Sequence, residues 1–183
     1  MKGIEIDTGR RLSQIAEENL DSSNHVAVWL GPGHVQEFTK GIPNCMVVDS
    51  EDKMVINDVV NKFSSDLIRL YLGDDLIGTE IGAAAKNVIG IAAGMLDGLG
   101  LSPLKGALMS RGTREIARLI KALGGNELSA YGLCHLGDYE ATVFSPPTRA
   151  VATFCAVCSD VQLVTEECSA IQIPSCTRYA TPL

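Results

Sequence analysis

One lysine lies within a long stretch of small apolar residues. Because of this position, it is the strongest candidate in the sequence for a residue that takes part in a reaction. Residues 77–100 are rich in Ala, Gly and Ile, and they predict one long buried helix with Lys86 near its middle. Because this helix carries little side-chain bulk, a neighbouring backbone or a ligand can approach it closely. An amine in that place must either reach water or meet a polar or anionic partner.

Two interpretations of Lys86 remain open from spacing alone. A lone helical lysine usually lays its stem on apolar surface and extends its amine into solvent. The alanines at 83–85 and the neighbouring Asn87 instead favour a narrow, partly desolvated site. Desolvation lowers the pKa of a lysine, which then becomes a usable proton donor or acceptor near neutral pH.

A glycine-rich turn, Gly31-Pro32-Gly33, follows a predicted strand and could bring backbone N–H groups close to a ligand. Tight turns also use glycine for steric reasons alone, so the pair of glycines is weak evidence for a binding loop. Gln36 stands where a dinucleotide-binding fingerprint has its third glycine. The turn is therefore not the primary cofactor loop.

Two further segments carry charged groups that could contact a substrate. Asp138 and Thr142 place a carboxylate and a hydroxyl one helical turn apart, although such a pair is more often a helix cap or a surface pair. Thr148-Arg149 follows two prolines, and a guanidinium on so rigid a turn suits bidentate contact with phosphate. An exposed structural arginine is the alternative. The three histidines, His25, His34 and His135, show no ligand spacing, and we predict structural or surface positions for them.

The order of predicted elements changes near residue 73. Before it, predicted strands at 25–30, 45–48 and 67–72 alternate with helices, which indicates a βαβ arrangement and a largely parallel sheet. In this half Ser50 is expected to cap a helix that turns Val55, Val59, Val60 and Phe63 inward. After it, Asp74 or Asp75 is expected to begin the long helix, and only helical patterns follow. We therefore predict an α/β domain over residues 1–73 and an all-α domain over residues 74–150.

Residues 151–183 form a third part with a different composition. This part holds four of the six cysteines, at positions 155, 158, 168 and 176. The first two have CxxC spacing, but the second two do not, so we favour a marginal tail over a zinc site and predict no metal.

The overall composition excludes some classes of function. A net charge of −7 over 183 residues supplies no basic face of the kind that nucleic-acid binding requires. The charge-free part of the long helix, residues 87–96, is too short to span a bilayer, and we expect no membrane span. Cysteines without a secretory signal favour a reduced, cytoplasmic location.

Taken together, these segments resemble the bacterial-type NAD(P)-dependent glycerol-3-phosphate dehydrogenases. The resemblance runs from Lys2 to about Arg149 in consistent order and spacing, and its most specific part is an AxKN…GxxDGxG block that includes Lys86. The other matching pieces are Lys2-Gly3-Ile4-Glu5, Leu30-Gly31-Pro32-Gly33, Ile77-Gly78, Arg111-Gly112, Leu136-Gly137-Asp138, Thr142, Ser145-Pro146 and Arg149.

The resemblance implies a partial Rossmann-type α/β domain followed by an all-α substrate domain of the 6-phosphogluconate-dehydrogenase-like kind. It further implies an oxidoreductase that interconverts sn-glycerol 3-phosphate and dihydroxyacetone phosphate with NAD or NADP and supplies a precursor of glycerophospholipids. The implied partner is a small phosphorylated substrate, and a homodimer is compatible with it.

The resemblance also implies roles for single residues. Lys86 matches the lysine that transfers the proton, and Lys2 matches a second lysine near substrate and nicotinamide. The remaining matches to substrate-contacting positions are Gly31, Gly33, Asp138, Thr148 and Arg149, while Val35 and Arg149 match cofactor-contacting positions.

The chain departs from the family pattern in four places. It contains no GxGxxG sequence, Gly33 stands where Ser or Thr is usual, and Ala150 replaces an asparagine. Beyond Ala150 we expect no further match. These departures predict weak dinucleotide binding and low activity for the chain alone. Two alternatives remain, namely a helical assembly or dimerisation module without catalysis and a related two-domain hydroxy-acid dehydrogenase.

Overall fold

All strands lie in the first half of the chain that the structure describes. The structure is a computed structural model, and it describes residues 2–33 and 35–143. Strands β1 (Val28–Leu30), β2 (Asn44–Asp49) and β3 (Ile68–Leu72) form a sheet in the order β1-β2-β3. Strands β2 and β3 are parallel, and helix α3 (Lys53–Phe63) connects them, so this part is the predicted βαβ unit.

The expectation of a largely parallel sheet is wrong for β1, which pairs with β2 in the antiparallel sense. The segment between these strands contains only the four-residue helix α2 (Val35–Phe38). A parallel crossover needs a connection long enough to return along the full strand, usually with a complete helix. The apolar run before Gly31 predicted a strand, of which Leu30 is buried, but such a run does not reveal strand direction.

The first two longer helices begin with polar contacts at their amino ends. Helix α1 (Leu12–Asn19) follows Arg11, whose backbone amide donates a hydrogen bond to the side chain of Gln14 at 3.0 Å. Helix α3 is capped by Asp52, whose carboxylate accepts a hydrogen bond from the amide of Met54 at 2.8 Å. The prediction that Ser50 is the cap is wrong, because its hydroxyl donates to the carbonyl of Val26 instead. Phe63, expected to face inward, is 56% exposed and touches Trp29 with only part of its ring.

Every described element after β3 is helical. Helix α4 (Leu76–Gly98) begins after Asp75, as predicted, and is followed by a 3-10 turn (Ser102–Leu104) and helix α5 (Lys105–Ala122). A 3-10 turn (Glu127–Tyr131), a π-helical turn (Leu133–Gly137) and helix α6 (Asp138–Val143) complete this half. The predicted domain boundary at residue 73 coincides with the point where strands give way to helices. The division into two domains itself stays a prediction. The four cysteines of the predicted tail lie outside the described residues.

Two apolar cores stabilise the two halves. In the α/β half, Val48, Ile56 and Leu70 pack between the sheet and α3. In the helical half, α4 and α5 pack through a cluster that contains Ile81, Ile116 and Ile120. A third cluster, centred on Ala93 and Tyr139, joins α4 to α6.

Helix α4 is the central element of the helical half, and it contacts α5, α6 and both intervening turns. It is long and apolar enough to cross a bilayer when length and composition alone are considered, and 56% of its apolar window is buried inside the protein. Burial of this kind is what a core helix shows. The expectation that the chain has no membrane span stays a prediction.

The core of the helical half generates a test with a matched control on the neighbouring residue. Ile120 is fully buried, whereas Leu119, one position earlier in α5, is 41% exposed. We expect Ile120→Ala to lower the free energy of unfolding by about 2–5 kcal/mol through lost burial and a residual cavity. Leu119→Ala should cost less than about 1 kcal/mol. Urea denaturation at unchanged m-value measures both, and equal losses would contradict the assignment of the core.

Candidate active site

Lys86 lies in the middle of α4 and is buried, with only 8% of its surface exposed. Its Nζ lies 2.7 Å from Oδ1 of Asp138. Burial to this degree excludes the interpretation in which the amine extends freely into solvent. The sequence therefore correctly indicated a desolvated amine as one of two possibilities, and the structure selects it.

Asp138 is the first residue of α6, and its side chain is almost completely buried. Its Oδ2 accepts a hydrogen bond from Nζ of Lys2, so that one carboxylate bridges two lysines. The interpretation of Asp138 as a surface pair is wrong. We call Lys2, Lys86 and Asp138 the lysine–aspartate cluster.

The electrostatics of the cluster favour proton exchange at Lys86. Burial lowers the pKa of Lys86 below its ordinary value of 10.5, because the charged ammonium loses solvation. The hydrogen bond and charge of Asp138 raise this pKa in part, and the positive charge of Lys2 lowers it further. Two amines beside one carboxylate also provide hydrogen-bond donors that suit an anionic substrate.

A close contact between α4 and the π-helical turn places Asp138 beside Lys86. Gly82 lies one helical turn before Lys86, and a Cβ atom there would be 3.0 Å from Cβ of His135 and 3.4 Å from the sulfur of Cys134. The carbonyl of Gly82 is 2.9 Å from Nδ1 of His135, and a carbonyl can only accept, so Nδ1 carries the proton. The predicted close approach to this small-residue helix is thus made by the segment that carries Asp138.

His135 is fully buried, and the sequence indicated no specific role for it. Burial lowers the pKa of His135 below its ordinary value of 6.5, although the Gly82 carbonyl and the Asp138 charge oppose the shift. Its ring stacks on Tyr139 with 5.9 Å between the ring centroids. Burial raises the pKa of Tyr139 to about 12. Within the described residues, neither Nε2 of His135 nor the hydroxyl of Tyr139 has a hydrogen-bond partner.

The two predicted loop glycines have a packing explanation. Gly31 has a φ of +143°, and a Cβ atom there would be 3.0 Å from Cα of Met46 on β2. A Cβ atom at Gly33 would be 2.7 Å from the sulfur of Met46 and 2.9 Å from the ring of Phe38. The positive φ and the backbone of β2 therefore favour glycine at position 31, whereas a side chain at position 33 would have to move the side chains of Met46 and Phe38.

The sequence analysis missed a buried carboxylate, Glu80, that lies six residues before Lys86 in α4. Glu80 accepts hydrogen bonds from the start of α1 and forms an ion pair with Arg11. The signal was present, because Glu80 is the one carboxylate within the apolar sequence from Ile77 to Leu96.

Three other predicted site residues cannot be related to the cluster. Helix α2 begins at Val35, and Thr148 and Arg149 lie outside the described residues. Among residues 2–33 and 35–143, no group of three or more His, Cys, Asp or Glu side chains could hold a metal ion.

Two family models match most of the chain. The N-terminal model of NAD-dependent glycerol-3-phosphate dehydrogenase matches residues 1–56, and the C-terminal model matches residues 75–168. The second match extends past Ala150, where we had expected the resemblance to end, and this expectation is wrong.

Individual proteins give the same result. The chain is 44% identical over 149 residues to a glycerol-3-phosphate dehydrogenase [NAD(P)+] of Clostridium botulinum, with 81% of this chain and 44% of that protein covered. It is 45% identical over 150 residues to the Moorella thermoacetica protein of that name, with the same coverage. The crystal structure of glycerol-3-phosphate dehydrogenase from Coxiella burnetii superposes with a TM-score of 0.77 at 30% identity, covering 85% of this chain and 48% of that one.

The architecture is that of a Rossmann-like nucleotide-binding domain joined to a helical domain that carries a buried lysine. The chain belongs to the NAD-dependent glycerol-3-phosphate dehydrogenase family. It spans about half the length of the relatives that it matches.

The buried histidine gives the stability of the protein a pH dependence with a defined sign. Below about pH 6.5 the unfolded chain binds a proton at His135 that the folded chain does not, so stability falls as the pH falls. The loss approaches about 1.4 kcal/mol per pH unit until the folded-state pKa is reached. We expect His135→Gln to flatten this dependence between pH 7 and 5, as measured by urea denaturation followed through Trp29 fluorescence.

The matched control is His25→Gln, which changes an exposed histidine and should leave the pH dependence as in the wild type. A slope for His135→Gln equal to that of the wild type would show that another group causes the dependence.

Proposed function

We propose that this chain carries the substrate-reducing half of an NAD(P)-dependent glycerol-3-phosphate dehydrogenase, with Lys86 as the proton-transfer residue. The observation that carries the proposal is the position of Lys86, which is buried in α4 and hydrogen-bonded to Asp138 beside a second lysine. The proposed substrate pair is sn-glycerol 3-phosphate, which the names of the relatives support, and dihydroxyacetone phosphate, its oxidation product. Supply of a glycerophospholipid precursor and a cytoplasmic location follow from this assignment.

The proton step uses only residues of this chain. In the direction of reduction, the ammonium of Lys86 gives a proton to the carbonyl oxygen as that oxygen gains charge. In the reverse direction, the neutral amine takes the proton of the hydroxyl. The burial that lowers the pKa of Lys86 makes its ammonium a stronger proton donor, and Asp138 orients Nζ through the 2.7 Å contact. We assign Lys2 to the binding of the substrate near the nicotinamide.

The phosphate end of the substrate requires additional cations. We propose that Arg149 contacts phosphate and cofactor, that Thr148 contacts substrate, and that Gly31 and Gly33 contact the substrate. We propose Val35 as a further cofactor-contacting position. These assignments rest on the resemblance and on sequence position. In the same way, the division at residues 1–73, 74–150 and 151–183 and a homodimer remain proposals.

A cavity beside Lys2 supports the proposal that one end of the cofactor binds there. Lys2 lines a cavity of about 350 Å³ together with Trp29 and Leu30, and this volume lies within the range of small-molecule sites. The chain itself contains no GxGxxG sequence for the pyrophosphate. When bound, the dinucleotide supplies or accepts the hydride.

Substitution of the lysine tests the catalytic assignment. In a chain joined to a strand–loop–helix segment that contains GxGxxG, we expect Lys86→Met to lower the rate of NADPH-dependent reduction of dihydroxyacetone phosphate by about 10²–10⁴-fold, because the proton donor is lost. Lys62→Met is the control, since Lys62 is an exposed lysine of α3 whose amine pairs with Asp58. Equal rates for the two variants would contradict the role of Lys86.

Substrate class is tested without turnover. We expect sn-glycerol 3-phosphate to protect Lys86 and Lys2 from an amine-reactive reagent, because it occupies the cluster. An unphosphorylated hydroxy acid such as lactate should protect neither lysine. Protection by lactate alone would favour the hydroxy-acid dehydrogenase alternative instead.

Dinucleotide affinity is a separate expectation. Because no loop in this chain provides a GxGxxG cradle for the pyrophosphate, NADPH should bind with a Kd above about 1 mM, the upper end of ordinary KM values. Fluorescence titration of the 183-residue chain measures this, and saturable binding at micromolar NADPH would contradict the expectation.

A further inference from the structure

Glu80 is a buried carboxylate that the proposed reaction does not use. Only 5% of its surface is exposed, and it lies on α4 six residues before Lys86. Its Oε1 accepts a hydrogen bond from the amide of Ser13 at 2.9 Å, and its Oε2 accepts from the hydroxyl of Ser13 at 2.5 Å. Oε2 also accepts from Nε of Arg11 at 2.9 Å.

These partners form the amino end of α1. Arg11 is the N-cap residue, and Ser13 lies in the first turn, whose amides have no partner inside the helix. A carboxylate at this end of a helix satisfies such amides and interacts favourably with the helix dipole. The side chain of Arg11 is largely buried as well, so the Arg11–Glu80 ion pair is shielded from solvent. Glu80 therefore fixes the start of α1 to α4.

The same contacts fix the segment that carries Lys2. Ile4 forms an antiparallel bridge with Arg11, and the amide of Glu5 donates to the carbonyl of Arg10 at 3.0 Å. The chain after Lys2 thus forms a tight loop, and Glu80 binds Arg11, the residue at which this loop ends. Lys2 and Glu80 also line one cavity. Helix α4 therefore positions Lys2 in two ways. Glu80 binds the residues to which the segment of Lys2 is hydrogen-bonded, and Lys86 binds the same carboxylate, Asp138, that Lys2 binds.

We propose that Glu80 is the positioning residue that holds Lys2 against Asp138, by fixing the loop between Ile4 and Arg11 to helix α4. The significance of this role rests on the proposed function, in which Lys2 binds the substrate. Glu80 touches neither Lys86 nor Asp138 among its described hydrogen bonds, so it acts through Lys2 rather than on the reacting atoms.

Competitive acetylation of the full chain, read by peptide mass spectrometry, tests the proposal. The variant is Glu80→Gln, which keeps the size of the side chain but places an amide N–H₂ group against hydrogen-bond donors and removes the charge that pairs with Arg11. We expect the acetylation rate of Lys2 to rise about three- to tenfold, as loss of charge-assisted contacts would produce. The exposed Lys62 and Lys121 serve as internal standards in the same sample.

Lys105 distinguishes local positioning from general loosening. Lys105 is the first residue of α5 and is buried beside the carboxyl end of α4, far from Glu80. Its Nζ lies 2.5 Å from Oδ2 of Asp97. In Glu80→Gln the rate at Lys105 should stay within about twofold of the wild type, because sites that are far apart and share no partners act almost independently. The matched variant Asp97→Asn should raise the rate at Lys105 and leave Lys2 unchanged.

Three results would overturn the proposal. The first is an unchanged rate at Lys2 in Glu80→Gln, and the second is an equal rise at Lys2 and Lys105. The third is a rise at Lys2 in Asp97→Asn as large as that in Glu80→Gln. All of these rates are measured without substrate. Failure of glycerol 3-phosphate to protect Lys86 in the wild type would therefore count against the proposed function and leave the positioning result intact.

Discussion

A single buried carboxylate between two lysines is the interaction on which the structure depends most. Asp138 lies on α6, Lys86 on α4, and Lys2 in the segment that precedes α1, so the three charges tie three separate elements together. Taking charges out of water is costly, and removing one partner of a buried set leaves the others uncompensated. The arrangement of the helices around α4 is therefore also the arrangement that keeps these charges paired.

Helix α4 is joined to the sheet by a second set of acidic contacts. Asp49, at the end of β2, accepts hydrogen bonds from the hydroxyl of Thr79 at 3.0 Å and from the amide of Asp75 at 3.1 Å. Burial raises the pKa of Asp49, because the hydrogen bonds offset the loss of solvation only in part. The Asp75 carboxylate in turn accepts from the hydroxyl of Ser129. The helix is thus fixed both to the sheet and to the turn that follows α5.

The sequence predicted much of this arrangement, because the relevant signals are local. Strand and helix periodicity located β2, β3, α1 and α4, and the run of small residues indicated where another segment approaches α4. The direction of β1 was predicted wrongly, because it depends on the length of the segment between β1 and β2 and not on the residues of the strand itself. The burial of Asp138 depended on contacts with residues 52 and 136 positions away, which no local pattern contains. A separation of 67 residues likewise hid the contact of Glu80 with Ser13.

The contact between Gly82 and His135 couples two positions that are 53 residues apart. A methyl group at residue 82 would press on the β-carbon of residue 135, and the imidazole in turn uses the carbonyl that the absent side chain leaves accessible. Neither residue can therefore change freely while the other is kept. Redesign of this helix would have to treat the two positions as one unit, because any side chain at residue 82 obliges residue 135 to move.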